Sequence, residues 1–206
     1  MSPAAAVADA GRVIAGSARG IRLRAPGPGT RPLNDRAKQV LFAILDPILP
    51  GARVLDLFAG SGAAGIEALS RGAARAIFVE RDPGAIATIE RNLAATGLSG
   101  SATVIRGDAL DWLARDGPAA GAFDVAIVDP PYAETTLLTD ALGRLADERA
   151  ELLANDAWVV AKHFWRDPAP DLGLLASVRE RRIGETALTF YRTLSPGDRS
   201  PNDREG

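Results

Sequence analysis

Cysteine is absent from this chain, and histidine and methionine occur once each. Without thiols there is no disulfide framework, no Cys-held zinc, no iron–sulfur cluster and no thiolate nucleophile. A lone imidazole, His163, leaves no His-rich metal site, so no metal is expected. A Ser-His-Asp hydrolase would have to route its whole mechanism through that one residue. Long hydrophobic runs are missing as well: none approaches the ~18 apolar residues of a membrane span. Residues 1–11 lack the basic flank and apolar core of a signal peptide, so a cytoplasmic protein without a membrane partner is expected. Aromatic residues make up 5%, and Trp112, Trp158 and Trp165 read as core or rim packing rather than platforms for bases.

What is present describes a globular chain. Of 206 residues, 47% are hydrophobic and 24% charged, enough apolar material for one domain with a sizeable core. The net charge is −2. Its distribution is uneven: Arg12, Arg19, Arg22, Arg24, Arg31, Arg36 and Lys38 face the single acid Asp35 between residues 12 and 38. Such asymmetry suits either an anionic partner near the N-terminus or a solvated basic face.

Periodicity organises the rest. Alternating runs at 12–15 and 21–24 around a Gly-containing connection predict a β-hairpin, and the Pro/Gly-rich stretch 25–34 predicts a loop. From Asp35 the positions Ala37, Val40, Leu41, Ile44 and Leu45 share a helical face, with Asn34 or Asp35 as N-cap and Pro47 and Pro50 as terminators. Strands are then predicted at 53–58, 76–80, 103–105, 123–129 and 158–161, alternating with helices at 63–71, 83–95, 109–114 and near 137–145. A further helix is placed before Leu153, and two closing strands, 177–183 and 187–194, are joined by Gly184 and Glu185. The expectation is an open α/β sheet, mostly parallel with an antiparallel C-terminal end, whose ligands sit beyond the carboxyl ends of the strands.

Two motifs carry chemistry. Asp56-Leu-Phe-Ala-Gly-Ser-Gly-Ala-Ala-Gly65 follows the first sheet strand and opens a helix, so Gly60, Gly62 and Gly65 match G-x-G-x-x-G. Glu80, at the end of the next strand, stands where a carboxylate meets ribose hydroxyls. Asp56 would repel an incoming pyrophosphate but favour the sulfonium and ammonium of S-adenosylmethionine, which has no phosphate. Asp108, after the third strand, could accept from an adenine amine, although by itself it reads first as a helix N-cap.

The second motif, Asp129-Pro130-Pro131-Tyr132, ends the fourth strand. Consecutive prolines fix φ and carry no N–H, so the turn is stiff and its carbonyls stay available. Asp129 and the Pro130 carbonyl can accept both hydrogens of an exocyclic amine, pointing the nitrogen lone pair at a methyl donor. Tyr132 offers a face for a planar base, a contact worth ~1–3 kcal/mol. Without Cys, methylation at pyrimidine C5 is excluded, which leaves exocyclic nitrogen as the better target.

These segments, together with Arg12-Val-Ile-Ala-Gly16, Thr30-Arg-Pro-Leu-Asn-Asp-Arg36 and Gly65-Ile-Glu-Ala-Leu-Ser-Arg-Gly72, occur in one order. In this the sequence resembles the bacterial 16S ribosomal RNA guanine-N2 methyltransferases of the RsmD type, over roughly residues 12–194. The resemblance implies a class I methyltransferase (Rossmann-like) fold with a small N-terminal β-hairpin extension, S-adenosylmethionine as donor and guanine N2 in 16S ribosomal RNA, free or in an assembling small subunit, as acceptor. It implies a cofactor site from Asp56, Phe58, Gly60, Gly62, Glu80, Arg81, Asp108 and Ala109, and a catalytic turn of Asp129, Pro130, Pro131 and Tyr132 holding a flipped base. RNA contacts are expected from Arg12, Arg22, Arg24, Arg31, Asp35 and Arg36, with Arg31, Asp35 and Arg36 lying over the site. Arg179, Arg181 and Arg182 form a second basic patch.

The expected organisation is a disordered start (1–11), a basic RNA-binding hairpin extension (12–34), a methyltransferase domain (35–194) and a disordered tail (195–206), acting as a monomer. Two departures from the family pattern stand out: Leu33 replaces a Thr, and the fifth strand ends Ala161-Lys162-His163 where the family has an acid. Adenine N6 or cytosine N4, in RNA or DNA, remain alternative targets. An NAD-dependent oxidoreductase is the alternative of another class.

Overall fold

The computed structural model describes residues 9–27, 33–132, 134–167, 169–170, 172 and 174–194. Two short strands, β1 (Asp9–Arg12) and β2 (Arg22–Arg24), pair antiparallel as a separate two-stranded sheet. The pairing lies further N-terminal than the sequence predicts, and Asp9, Ala10 and Gly11, expected to be structureless, belong to it. The cause is a competitor for the backbone. The Ile14 and Ala15 N–H groups donate to the Glu67 carboxylate at 2.7 and 3.0 Å instead of to a cross-strand carbonyl.

Helix α1 (Asp35–Leu45) follows, capped by the Asn34 side chain on the Ala37 N–H at 2.8 Å. It buries Ala37, Leu41, Phe42 and Leu45, and Lys38 with them. The main sheet then forms from β3 (Arg53–Leu57), β4 (Arg75–Glu80), β5 (Ala102–Arg106), β6 (Phe123–Val128), β7 (Leu153–Phe164), β8 (Leu175–Ile183) and β9 (Thr186–Thr193). The connecting helices are α2 (Ala63–Ser70), α3 (Pro83–Thr96), α4 (Ala109–Arg115), α5 (Gly117–Ala120) and α6 (Thr135–Leu145).

Strand order is β5-β4-β3-β6-β7-β9-β8, parallel except for β9, which runs antiparallel to both neighbours. Gly184, at φ +62°, turns the chain between β8 and β9. β7 starts at Leu153, earlier than the predicted residue 158, and its pairing with β6 is irregular between Leu153 and Trp158, where Asp156 takes φ +60°. The helix expected before it is a single turn, Glu148–Ala150.

Each sheet face carries its own apolar cluster. One, around Phe42, Ile66, Phe78 and Phe190, lies under α1, α2, α3 and the hairpin. The other, around Trp112, Phe123, Leu142 and Tyr191, lies under α4 and α6. Phe78 is fully buried, and truncating such a ring typically costs ~3–5 kcal/mol. The order reverses at β3, whose two neighbours β4 and β6 continue in opposite directions. That reversal opens a crevice beyond the carboxyl ends of β3 and β6. No helix among the described residues is long and apolar enough to cross a membrane.

Candidate active site

The crevice holds a cavity of about 500 Å³, walled by the turn after β3, the ends of β4 and β5, and the turn after β6. That volume suits a cofactor-sized ligand. Asp56, on β3, is buried and accepts the Gly65 N–H at 2.8 Å. A Cβ on Gly65 would sit 2.3 Å from the Phe78 ring and 3.1 Å from the Asp56 carboxylate, so glycine is required for this approach of α2 to the sheet. The turn itself is left-handed at Phe58, Gly60 and Gly62, with φ of +59°, +54° and +74°. Phe58 is the exception among them, since side chains disfavour this region.

Glu80 is held by three backbone amides. Gly60 N–H donates to its Oε2 at 2.8 Å, and the Arg81 and Asp82 N–H groups donate to its Oε1 at 2.8 and 2.9 Å. The carboxylate is thereby fixed at the cavity wall with acceptor capacity left for a ligand. Arg81 pairs with Glu134 at 2.9 Å across the rim. Asp108 caps α4 through Oδ1, accepting from Leu110 and Asp111 N–H, and still lines the cavity. Burial pushes the Asp56 carboxyl up to about 8, the Gly65 N–H opposes this, and the negative charges of Asp129 and Glu80 add to it. Asp56 therefore favours its protonated form at neutral pH and is not the standing anion that the sequence suggests.

The turn after β6 brings Asp129, Pro130, Pro131 and Tyr132 to the same cavity. Lys162, from β7, places its Nζ 2.7 and 2.9 Å from the two Asp129 oxygens. Burial raises the Asp129 pKa, and the Lys162 ammonium pulls it back. Tyr132 Oη lies 2.8 Å from Thr186 Oγ1, and its ring centroid 5.3 Å from the Lys162 ammonium.

Of the expected cofactor residues, Asp56, Phe58, Gly60, Glu80, Arg81, Asp108 and Ala109 line the cavity, whereas Gly62 shapes the turn beneath it as the N-cap of α2. Sequence reading misses Leu33 and Lys162 as lining residues. Both were visible as departures from a pattern, without a role. Leu33 is buried, giving the wall an apolar side chain. His163 is structural: it is buried, with Nε2 2.9 Å from Thr189 Oγ1 and Nδ1 3.0 Å from the Phe164 carbonyl.

The basic N-terminal segment is more neutralised than its sequence suggests. Arg12 pairs with Asp35 at 3.6 Å, and Arg22 with Asp9 at 2.7 Å. Lys38 is buried against Asp35, while Arg19, Arg24 and Arg36 are exposed. Asp35 and Arg36 do not line the cavity; Asp35 is engaged by Lys38 and the Arg12 N–H. Arg31 lies outside the described residues. No cluster of three or more metal-ligating side chains occurs among the described residues.

A family model described as conserved hypothetical protein 95 matches residues 11–192. The chain belongs to this family. Among similar proteins, the conserved hypothetical protein 95 chain is 35% identical to the Escherichia coli ribosomal RNA small subunit methyltransferase D over 189 residues, covering 91% of this chain and 92% of that one. It is 41% identical over 183 residues to the provisionally named Bacillus subtilis rRNA methyltransferase YlbH, covering 88% and 98%. A solved structure of the provisionally assigned Escherichia coli methyltransferase yhhF superposes with a TM-score of 0.77 at 35% identity, over 89% of this chain and 98% of that one. The fold of this conserved hypothetical protein 95 member is that of the class I methyltransferases, with the small N-terminal hairpin sheet added.

Proposed function

We propose that the protein transfers a methyl group from S-adenosylmethionine to the exocyclic N2 of a guanine in 16S ribosomal RNA. One observation carries this reading: the glycine turn and the Asp129–Tyr132 turn border a single cavity, so a donor site and an amine-holding site are contiguous. The residues fit the cofactor. Glu80 is fixed by three amides at the place of the ribose hydroxyls, Asp108 presents a carboxylate by the third strand, and Asp56 lies beneath the turn. The Asp129–Tyr132 turn at the same cavity suits an amine acceptor rather than a nicotinamide, which disfavours the oxidoreductase alternative. When bound, S-adenosylmethionine supplies an electrophilic methyl on a sulfonium.

The chain's own contribution is orientation. Asp129 accepts an N–H of the target amine on lone pairs left beside Lys162, and the Pro130 carbonyl accepts the other. With both hydrogens held outward, the nitrogen lone pair faces the cavity. Alignment of this kind supplies up to ~7–11 kcal/mol. Tyr132, tied to Thr186, walls the base side. The exposed Arg24 and Arg36, with Arg12, Arg22 and Arg31, provide phosphate contacts. The names of the small-subunit relatives support ribosomal RNA as the substrate class.

The test supplies tritiated methyl donor with small-subunit RNA and with partly assembled subunits, followed by digestion to nucleosides. Label in N2-methylguanosine is expected. Label in N6-methyladenosine or N4-methylcytosine would move the target, and no transfer to RNA would overturn the reading.

A further inference from the structure

The turn after β6 is braced from one side by β7 and β9. Lys162 reaches both Asp129 oxygens, while Thr186, which pairs with Phe164 two residues beyond Lys162, holds the Tyr132 hydroxyl. Lys162 borders the cavity, and its side chain is 10% exposed, that of Asp129 24%. A pair so withdrawn from water gains little stability over well-packed apolar residues, because desolvation offsets the attraction. Its placement at the cavity mouth instead suits control of a carboxylate. The chemistry of the amine explains why control is needed. An ionised carboxylate accepts N–H bonds through both oxygens, whereas a protonated one gives up an acceptor and becomes a donor.

We propose that Lys162 is a positioning residue for methyl transfer: by clamping both oxygens of Asp129 it fixes the plane of that carboxylate and keeps it an acceptor for the target amine. This rests on the function proposed above and adds to it a residue that stands where the family pattern has an acid. The charged and titratable groups around Asp129 make the effect one-sided. Lys162 faces it from β7 and the Tyr132 phenol from its own turn, Asp56 lies opposite on β3, and Glu80 on β4 stands next to Asp56. Burial opposes ionisation of Asp129, and the Lys162 ammonium is what offsets it.

The experiment compares the wild type, Lys162→Met and Lys162→Arg in single-turnover methyl transfer from pH 5.5 to 9.5, with cofactor affinity measured alongside. Removing an adjacent cation moves a carboxylate by ~1–3 pH units. Lys162→Met is therefore expected to lose at least about tenfold in rate at pH 7 and to recover towards the wild type near pH 9. Cofactor affinity should stay within about twofold, and Lys162→Arg should restore the acidic limb. Equal fractional loss at every pH, or no loss, overturns the role of Lys162. Should Lys162→Met fail to fold, the arbiter is carbon-13 NMR of the Asp129 carboxyl in the wild type and in Lys162→Arg. Titration there unlinked to the acidic limb of the rate profile overturns the proposal equally. A wild type that methylates no RNA overturns the function instead, an outcome read before any variant is compared.

Discussion

Asn92 holds Arg24 by both of its backbone groups: Oδ1 accepts the Arg24 N–H at 2.9 Å, and Nδ2 donates to the Arg24 carbonyl at 2.9 Å. The same Nδ2 donates to the Ser61 carbonyl at 2.9 Å, inside the glycine turn. One buried amide on α3 thus joins the basic hairpin to the cofactor-side loop.

Asn92→Ala leaves those backbone groups without their partner. A loss of about 2–3 kcal/mol is expected, read as a lowered urea midpoint. Because Ser61 borders the cavity, S-adenosylmethionine affinity should fall as well. A variant with unchanged midpoint and affinity would show that Asn92 couples nothing.

Asp56 sets a pH dependence of stability. Its carboxyl is raised to about 8 in the folded protein, from 3.8. Below the lower value both states are protonated and no penalty exists. As pH rises towards 8, the unfolded chain ionises while the native one keeps its proton, so stability declines across this window. Asp56→Asn should flatten that decline in urea midpoints measured from pH 4 to 9. Parallel curves for the two proteins would contradict it. Binding of a cationic ligand at pH 7.5 should also expel a proton, seen in calorimetry as a dependence on buffer ionisation enthalpy.

Gly65→Ala drives a methyl into the Phe78 ring. Overpacking of this kind costs ~1–3 kcal/mol, and the displaced turn should weaken cofactor binding. Phe78→Leu on top of Gly65→Ala should recover part of both losses relative to Gly65→Ala alone. A double variant no better than additive would place the defect elsewhere.

Asp129→Ala keeps the glycine turn intact. Cofactor affinity should remain within a few-fold while single-turnover transfer falls by about 10²-fold or more. Retention of most activity would remove Asp129 from the amine-holding role.

Neutralising Arg24 and Arg36 together should lower the slope of log affinity for RNA against log salt by ~1–2. Arg22, already paired with Asp9, should contribute less. A slope unchanged in the Arg24/Arg36 variant would return that face to plain solvation.

Local patterns were the legible part of this protein. β3, β4 and β6 are buried apolar runs bounded by turns, and both functional turns are contiguous motifs, so each announces itself in a few residues. Contacts between distant segments do not. Lys38 belongs by sequence to a basic surface, yet its ammonium is buried beside Asp35 and donates to the Arg12 carbonyl at 2.5 Å. Lys162 meets Asp129 because β6 and β7 pair in register, with Val128 opposite Ala161. The hairpin shift has the same origin: Glu67, more than fifty residues away, claims the amides that a local pattern assigns to strand pairing.

The side chain of Glu67 is fully enclosed, and apart from Arg71 its oxygens are met by Ile14 and Ala15. A shortened chain starting at residue 33 would strand that anion inside the protein with two of its three partners gone. The basic hairpin is therefore no detachable arm: it is a keystone of the body that carries the cavity, and trimming it would crack the fold beneath.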